Sequence, residues 1–345
     1  MKKLVFRILW LLGIHHLLRF MLRQKTIILF CHGFTERESH EGLENYDGKH
    51  LYIKKFQARL AYLKKYYQIL SLDDWLGKRS KGEKIPDRSV ILTFDDGYRS
   101  NYTLAYPVLK QMDVPATIFL TTDFIENKQF LWTDRVEYAV QNAAAGGDTE
   151  SRIQSAAKSK SRVKSLSQEK NSELVAELES ELGEKLSAGE NPPEIYRPLE
   201  WGDISEMLES KLISFGSHTH THKILSRLPP DAALEELRLS REIIEKRTQT
   251  GCRLFCYPNG EQGDFNEPTK NLLKQAGYSC GLTTVEGFND ETTDPFELKR
   301  SGISNHSGHV EFVMTLCGVK KWISGIKQGL FRQTAATGPY RCPPP

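Results

Sequence analysis

The stretch that decides the fold lies between Val90 and Gly97 and reads VILTFDDG. It begins with apolar and β-branched residues, as does a strand that is buried on both faces of a parallel sheet. Two carboxylates and a glycine follow at once, so the chain can turn sharply where its polar groups begin. A simple Asp-Asp-Gly turn before a helix also explains these residues, so their meaning depends on the rest of the chain.

The same arrangement recurs along the chain, because short apolar runs repeatedly end in polar residues. These runs lie at residues 26–31, 90–94, 116–120, 212–216, 253–257, 280–283 and 298–303. Helix-period stretches separate them, such as the apolar stripe of Phe56, Leu60, Leu63 and Tyr67. About seven alternating strand and helix units predict a parallel α/β architecture. Polar groups at strand ends favour a barrel over an open doubly wound sheet, which stays the alternative.

Composition limits the classes of function. The chain has 345 residues, of which 39% are hydrophobic and 26% are charged, as in a globular protein with a sizeable core. A net charge of +3 and the lack of a basic stripe in the barrel region indicate no nucleic-acid partner. The six cysteines are scattered and mostly lie in apolar runs. We expect them to be reduced and buried, which favours a cytoplasmic location.

The N-terminal residues 1–24 predict a basic amphipathic helix. The apolar run from Leu4 to Met21 is interrupted by Arg7, and Arg19 and Arg23 follow at helical intervals. A membrane-spanning helix needs roughly 20 apolar residues with few charges, which this segment does not provide. Peripheral contact with the inner face of a membrane and packing against the domain are equally compatible with the pattern.

Two further segments depart from the rhythm of strands and helices. Residues 142–193 are rich in Ala, Ser, Lys and Glu, which predicts a charged helical insertion with a joint at Gly146 and Gly147. The insertion either covers the catalytic face as a lid or is a solvated surface with no direct role. Residues 332–345 contain little apolar material and predict a disordered tail. The barrel domain is therefore assigned to residues 25–331.

A histidine-rich segment, SHTHTH at residues 217–222, follows another apolar run. On a helical turn, the four-residue spacing of His218 and His222 places both imidazoles on one side. Two histidines and one carboxylate leave open coordination positions, as in catalytic zinc sites. His220 then points away as a supporting or surface residue. A surface patch is the alternative, but the position after a buried strand, with an aspartate pair after another, favours a ligand set.

Three motifs together resemble the polysaccharide deacetylases that share the NodB homology domain, carbohydrate esterase family 4. They are TFDDG at 93–97, HTHTH at 218–222 and FCYPNG at 255–260, and the resemblance covers roughly residues 26–313. It implies a distorted (β/α)7 barrel, here with the helical insertion, and an N-acetylated glycan as the substrate. It also implies that Asp96, His218 and His222 bind a metal, usually zinc but also cobalt or nickel, while Asp95 is the catalytic base.

The sequence departs from the family pattern in the third motif. Many members carry an arginine there that orients the base, whereas this chain has Cys256-Tyr257-Pro258. We expect a backbone N–H near Tyr257 and Pro258 to stabilise the oxyanion. Arg300 is a candidate to replace the missing arginine.

The general acid is also displaced from its usual pattern, since many members place a catalytic histidine after a leucine on the final strand. His306 is the preferred candidate here and His309 is the alternative. His32, at the end of the first strand, is a further candidate for the substrate pocket.

The leading interpretation is a metal-dependent hydrolase that removes N-acetyl groups from an N-acetylhexosamine-containing polysaccharide or its lipid-linked precursor. An amidohydrolase acting on a small non-peptide amide is one alternative. A catalytically silent carbohydrate-binding module is another, favoured by the absent arginine. The sequence leaves open the glycan, the metal, the oligomeric state and the role of the insertion.

Overall fold

The fold is a nearly closed barrel of parallel strands surrounded by helices. The computed structural model describes residues 2–142, 148–165, 168–182, 186 and 192–319. The strands of the barrel follow the order β10-β1-β5-β6-β7-β8-β9, and β4 pairs with β5 beside this path. A parallel bridge between Leu282 and Leu298 brings the two ends of the sheet together. The predicted distorted (β/α)7 barrel is confirmed.

The seven strands of the barrel path coincide with the seven predicted apolar runs to within two residues, whereas the short strands β2, β3 and β4 lie outside those runs. Their bounds are β1 Ile27–Cys31, β2 Phe34–Thr35, β3 Leu51–Tyr52, β4 Gln68–Ile69, β5 Ser89–Phe94, β6 Ala116–Leu120, β7 Ile213–Ser217, β8 Leu254–Cys256, β9 Cys280–Leu282 and β10 Arg300–Gly302. The short strands β2 and β3 pair with each other in a separate two-stranded sheet. All six residues of β5 are buried, as expected for a central parallel strand.

The helices surround this barrel. Their bounds are α1 Lys2–Leu11, α2 Ile14–Met21, α3 Ile53–Tyr66, α4 Leu72–Ser80, α5 Tyr106–Met112, α6 Thr122–Glu126, α7 Trp132–Asn142, α8 Thr149–Ser165, α9 Gln168–Leu182, α10 Trp201–Glu209, α11 Pro230–Thr248, α12 Glu267–Gln275 and α13 His309–Leu316. The α3 stripe is buried at Phe56, Leu60 and Leu63, as the sequence predicts.

Alternation of side chains along the strands separates two apolar layers. Ile28, Ile91 and Phe119 pack in one cluster inside the barrel, with Leu72 and Trp75 of α4. On the same strands, the residues next to Ile28, Ile91 and Phe119 point outward and pack against the helices. The Trp75 indole donates a hydrogen bond to Thr26 Oγ1 over 2.9 Å. Because β-strand C-termini meet at one end of such a barrel, the polar residues that follow them converge.

The N-terminal segment differs from the prediction of one helix over residues 1–24. Gly13 adopts a positive φ of 68°, and the chain forms two helices, α1 and α2, bent by 83°. No single helix in the described ranges is long and apolar enough to cross a membrane, although this bent pair meets the length and composition criteria together. Phe6, His15 and Arg19 are buried against the domain.

The predicted insertion contains the helices α8 and α9. They pack with α7 around a small apolar core of their own that includes Val136, Ala156, Val163 and Val175. The predicted joint at Gly146 and Gly147 lies outside the described residues, and so does the tail at 332–345.

Candidate metal centre and active site

The aspartate pair sits at the C-terminal end of β5. The Asp95 N–H donates to the Cys31 carbonyl over 3.0 Å, which continues the pairing with β1 for one residue beyond the strand. Asp96 and Gly97 then adopt positive φ values of 74° and 89°, which turn the chain away. This conformation is costly for an aspartate, so the surrounding structure must hold it in place. Asp95 and Asp96 are both buried.

The histidine segment follows β7. The His218 N–H donates to the Leu120 carbonyl over 2.8 Å, and the residues after it form an irregular loop. Thr219 and His222 adopt positive φ values of 65° and 59°. The helical turn expected from the spacing is therefore wrong. The two imidazoles meet because the loop folds back, and not because a helix aligns them.

His218 and His222 converge on one oxygen of Asp96. Their Nε2 atoms lie 3.5 Å and 3.3 Å from Asp96 Oδ1, and the two rings are 4.9 Å apart between centroids. The ligand atoms of the three side chains all lie within 4.8 Å of one another. His220 points elsewhere, with Nδ1 2.9 Å from Thr122 Oγ1.

The protonation of this cluster suits a cation. Burial lowers the pKa of His218 to about 4, so its imidazole is neutral at pH 7. His218 Nδ1 lies 2.8 Å from the Cys256 carbonyl, so the proton sits on Nδ1 and the Nε2 lone pair faces Asp96. Among the described residues, buried Asp96 Oδ1 has no hydrogen-bond partner. Two imidazole nitrogens and one carboxylate form a donor set that fits zinc and is also compatible with cobalt or nickel.

A buried arginine, Arg300, binds the other aspartate of the pair, Asp95. Arg300 Nη1 lies 2.7 Å from Asp95 Oδ1, and Nη2 lies 2.8 Å from Oδ2, a bidentate pair. Arg300 Nε donates to the Thr283 carbonyl over 2.9 Å, and the side chain is 0% exposed. Burial raises the pKa of Asp95, but Arg300, His218 and His32 together lower it by more, so Asp95 is ionised at neutral pH. From the sequence alone, Arg300 is a candidate to replace the arginine that is missing from the third motif.

The small side chain of Cys256 leaves room for Arg300 beside Asp95. Its Sγ lies 2.9 Å from Arg300 Nη2 and 3.7 Å from Asp95 Oδ1. Burial raises the pKa of this thiol well above its usual value, so it is neutral. In the third motif this chain thus has a small side chain beside the base, and β10 supplies the guanidinium instead.

These groups face a cavity of about 480 Å³ at the C-terminal end of the barrel. Its lining includes Asp95, Asp96, His218, His222 and His32. His32 therefore lies in the wall of the same cavity as the aspartate pair.

The predicted oxyanion group at Tyr257 and Pro258 requires a correction. Tyr257 lines the cavity, but its N–H donates to the Leu282 carbonyl over 3.0 Å, within the pairing of β8 and β9. Pro258 has no N–H and is absent from the cavity lining. The next residue, Asn259, lines the cavity, and its buried Nδ2 has no partner among the described residues.

The predicted acid His306 does not line this cavity. It is exposed, and its Nε2 lies 2.9 Å from the Tyr46 carbonyl. The alternative His309 packs against Trp10 and Tyr62, with ring centroids 5.6 Å and 5.2 Å away. The final strand, β10, ends before either histidine: His306 lies between β10 and α13, and His309 is the first residue of α13.

Sequence reasoning missed Glu236, a buried carboxylate on α11 that holds the histidine loop. Its Oε2 accepts hydrogen bonds from the His220 and Thr221 N–H groups at 3.0 Å and 2.8 Å. Its Oε1 accepts a bond from the Thr221 hydroxyl at 2.5 Å. Glu236 is one of several glutamates on α11, and no sequence signal distinguishes it. Lys49 and Lys160, which also line the cavity, were missed too.

Comparison with known proteins agrees with this geometry. The family profile described as polysaccharide deacetylase matches residues 82–281, more than half of the chain. The chain belongs to this family. A poly-β-1,6-N-acetyl-D-glucosamine N-deacetylase of Staphylococcus epidermidis is 37% identical over 261 residues, which cover 73% of this chain and 67% of that protein.

Other members of the polysaccharide deacetylase family are more distant. The putative polysaccharide deacetylase YxkH of Bacillus subtilis is 23% identical over 73% of this chain and 64% of its own length. Among solved structures, the Streptococcus pyogenes deacetylase PplD in complex with acetate aligns with a TM-score of 0.59 and 20% identity. That alignment covers 85% of this chain and 98% of PplD. IcaB from Ammonifex degensii aligns with a TM-score of 0.57 and 16% identity over 85% and 97%. These two structures support the fold.

Proposed function

We propose that this protein hydrolyses N-acetyl groups on an N-acetylhexosamine-containing glycan, with a divalent metal at Asp96, His218 and His222 and with Asp95 as the base. One observation carries the proposal: an ionised carboxylate, fixed by Arg300, lies beside a three-residue metal-ligand set in one cavity. The staphylococcal relative named as a poly-β-1,6-N-acetyl-D-glucosamine N-deacetylase supports the class of substrate.

Each residue has a separate task in this hydrolysis. A cation held by the three ligands supplies Lewis acidity toward the acetyl carbonyl and toward water. Asp95 accepts the proton that the attacking water loses, and Arg300 keeps the carboxylate ionised and oriented. The Asn259 side-chain amide donates a hydrogen bond to the oxyanion. His32 donates the proton that the leaving amine requires, because His306 does not line the cavity.

This arrangement argues against a silent carbohydrate-binding module more strongly than against hydrolysis of a small amide. The missing arginine of the third motif favoured a silent carbohydrate-binding module, but Arg300 provides a guanidinium to the same base. A binding module has no use for such a pair. Hydrolysis of a small amide uses the same residues, so only the substrate separates it from glycan deacetylation.

Released acetate is the decisive measurement. Metal-loaded protein is incubated with chito-oligosaccharides, peptidoglycan fragments and a β-1,6-linked N-acetylglucosamine polymer. We expect acetate from at least one of them, and none from the Asp95→Asn variant, which should still bind metal and glycan. Acetate from small amides alone would contradict the glycan substrate, and equal glycan binding without turnover in both proteins would support the silent module.

We also propose that α1 and α2 lie on an anionic membrane surface, where a lipid-carried glycan precursor would be accessible. All the large hydrophobic side chains that are strongly exposed in the described structure belong to this pair: Leu4, Ile8, Leu11, Leu12, Leu17, Phe20 and Met21. The first acidic residue of the sequence is Glu36, so the charged side chains of α1 and α2 are all basic, and Arg7 is exposed among the apolar residues. This combination is typical of helices at the lipid interface, and less so of protein-binding surfaces.

The pair is attached firmly enough to present this surface. Arg19 Nη2 donates to the Tyr62 hydroxyl over 2.5 Å, and its guanidinium lies 4.5 Å from the Tyr66 ring centroid. The Arg88 N–H, just before β5, bonds the Arg23 carbonyl. The end of α2 is therefore held beside the start of β5. The cytoplasmic location stays a prediction.

Vesicle sedimentation tests the membrane contact. Wild-type protein should sediment with phosphatidylglycerol vesicles more than with phosphatidylcholine vesicles, and a variant with Leu11→Glu and Leu17→Glu should not sediment with either. Gln111→Glu with Gln275→Glu, at exposed sites on α5 and α12, adds the same charge as a control. Equal sedimentation of all three proteins would refute the contact. A dimer that the leucine variant abolishes, without any vesicle binding, would instead assign the surface to a second copy.

A further inference from the structure

The insertion helix α8 reaches the catalytic cavity through Lys160 and forms ion pairs with residues on two sides of it. On one side, Lys160 Nζ lies 2.8 Å from Glu137 Oε2 on α7 and 3.5 Å from Asp47 Oδ2. On the other side, Lys164 Nζ lies 2.6 Å from Glu261 Oε2, in the segment between β8 and α12. Asp47 and Glu261 both line the cavity, so α8 connects two parts of its wall.

Lys160 itself reaches the cavity. It lines the same space as Asp95 and His222, and its side chain is only 14% exposed. Burial lowers the pKa of Lys160, but Glu137 and Asp47 raise it by more, so the ammonium stays charged at neutral pH. An ammonium has three N–H donors, and two carboxylates engage it on the protein side. The Tyr46 ring centroid lies 4.7 Å from the same nitrogen, and the lysine side chain also lines the cavity, where the ammonium can donate to a ligand.

The surrounding charges indicate the chemistry of that ligand. Lys49 is paired with Asp134, and Lys160 with Glu137, so neither lysine presents an uncompensated charge. Asp47 and Glu261 add acceptors to the same wall. A wall with donors and acceptors in near balance suits neutral hydroxyl groups better than a phosphate or a carboxylate.

We propose that α8 is a fixed part of the substrate site, and that Lys160 Nζ binds a hydroxyl oxygen of a sugar neighbouring the residue that is deacetylated. The inference rests on the glycan deacetylation proposed above and adds a subsite to it. It also assigns a role to the insertion: the helix sets how the glycan chain enters, and Lys160 acts in binding and not in the chemical step.

The direct test compares Lys160→Met with Lys158→Met, an exposed lysine on the same helix. For a chito-oligosaccharide, the KM of Lys160→Met should rise about tenfold, which is the order expected for a lost charge-assisted hydrogen bond. Its kcat should stay within about twofold, since an interaction made equally in the ground and transition states changes KM alone. Hydrolysis of 4-nitrophenyl acetate, which lacks the neighbouring sugar, should be unchanged.

A second variant separates binding from folding, because Lys160→Met leaves Glu137 buried without its cation. In Lys160→Met with Glu137→Gln, the charge pair is removed, and an amide oxygen remains to accept the Tyr196 hydroxyl bond of 2.8 Å. This double variant should be as stable as the wild type and should keep the raised KM. Calorimetric titration of the metal-depleted proteins with the oligosaccharide gives the affinity without turnover.

Two results would overturn the inference: unchanged oligosaccharide affinity in both Lys160 variants, or a loss of ester hydrolysis equal to the loss on the glycan. Failure of the proposed function is recognised differently. In that case the wild-type protein hydrolyses the ester but releases no acetate from any oligosaccharide, while calorimetry still reports whether Lys160 contributes to sugar binding.

Discussion

The guanidinium of Arg300 holds both oxygens of the Asp95 carboxylate, at 2.7 Å and 2.8 Å, although 205 positions separate the two residues. Their strands are not neighbours, since β1 lies between β10 and β5. The pair therefore forms across the end of the barrel. Such a contact requires β10 and β5 to pair with the two sides of β1, so the base is fixed by the tertiary structure and not by its own loop.

Replacing Arg300 by methionine should destabilise the protein and abolish acetate release. Removing one partner of a buried ion pair costs about 3–5 kcal/mol, because the remaining charge has no partner. Chemical denaturation measures the free energy of unfolding. Adding Asp95→Asn should restore most of that stability without restoring activity, which would show that the lost stability comes from the unpaired carboxylate.

The neighbouring thiol provides a compensation test of the same pair. Cys256 Sγ is 2.9 Å from Arg300 Nη2, so the space beside Asp95 accommodates one guanidinium. Cys256→Arg alone should lose activity by crowding. The double variant Cys256→Arg with Arg300→Ser should recover part of it, whereas an inactive double variant would show that the arginine must come from β10.

Metal content should depend on Asp96 and His222 and be independent of His220. We expect about one zinc per wild-type chain after loading, as in a three-ligand catalytic site, and almost none in Asp96→Asn or His222→Gln. His220→Gln is the matched control, since His220 contacts Thr122 and points away from the other two histidines. Elemental analysis after dialysis gives the stoichiometry. Zinc retained by His222→Gln but lost by His220→Gln would reverse the assignment.

Glu236 should tune metal affinity without touching the metal. It accepts two backbone hydrogen bonds from the histidine loop, so its loss frees the segment that positions His222. Loss of such supporting groups typically lowers metal affinity about 10- to 100-fold. Glu236→Ala should show this loss in a chelator competition assay, while Glu235→Ala, at an exposed position on the same helix, should not. Equal affinities in the two variants would remove Glu236 from the support of the site.

The sequence was sufficient to predict the barrel and the side chains that meet at the C-terminal end of its strands. The apolar run before Asp95 and the run before His218 both predict buried parallel strands, and parallel strands end on the same side. The backbone conformation of the loops that follow these strands was not predictable. The histidines converge through positive φ values at Thr219 and His222, which the tertiary structure imposes on residues that rarely adopt them.

Contacts between distant segments explain the remaining differences. The position of His306 after the final strand made it the preferred acid, but the chain turns toward α13 after β10 and leaves His306 beside Tyr46. The N-terminal apolar run reads as one helix because Gly13 is tolerated in helices at a modest cost. In the structure, Gly13 instead adopts a φ of 68° where the chain bends, and Phe6 and His15 on either side of it are buried against the domain.

The proton donor to the amine provides the last test. His32 lines the cavity, whereas His306 is exposed and outside the lining, so His32→Gln should lower kcat on the glycan by about 10²- to 10⁴-fold, and His306→Gln should not. An acid matters only when the leaving group needs a proton. Hydrolysis of 4-nitrophenyl acetate, whose leaving group departs as a stable anion, should therefore survive in His32→Gln. Equal losses on the amide and the ester would show that His32 supports the structure of the site, and the acid would then have to be sought elsewhere.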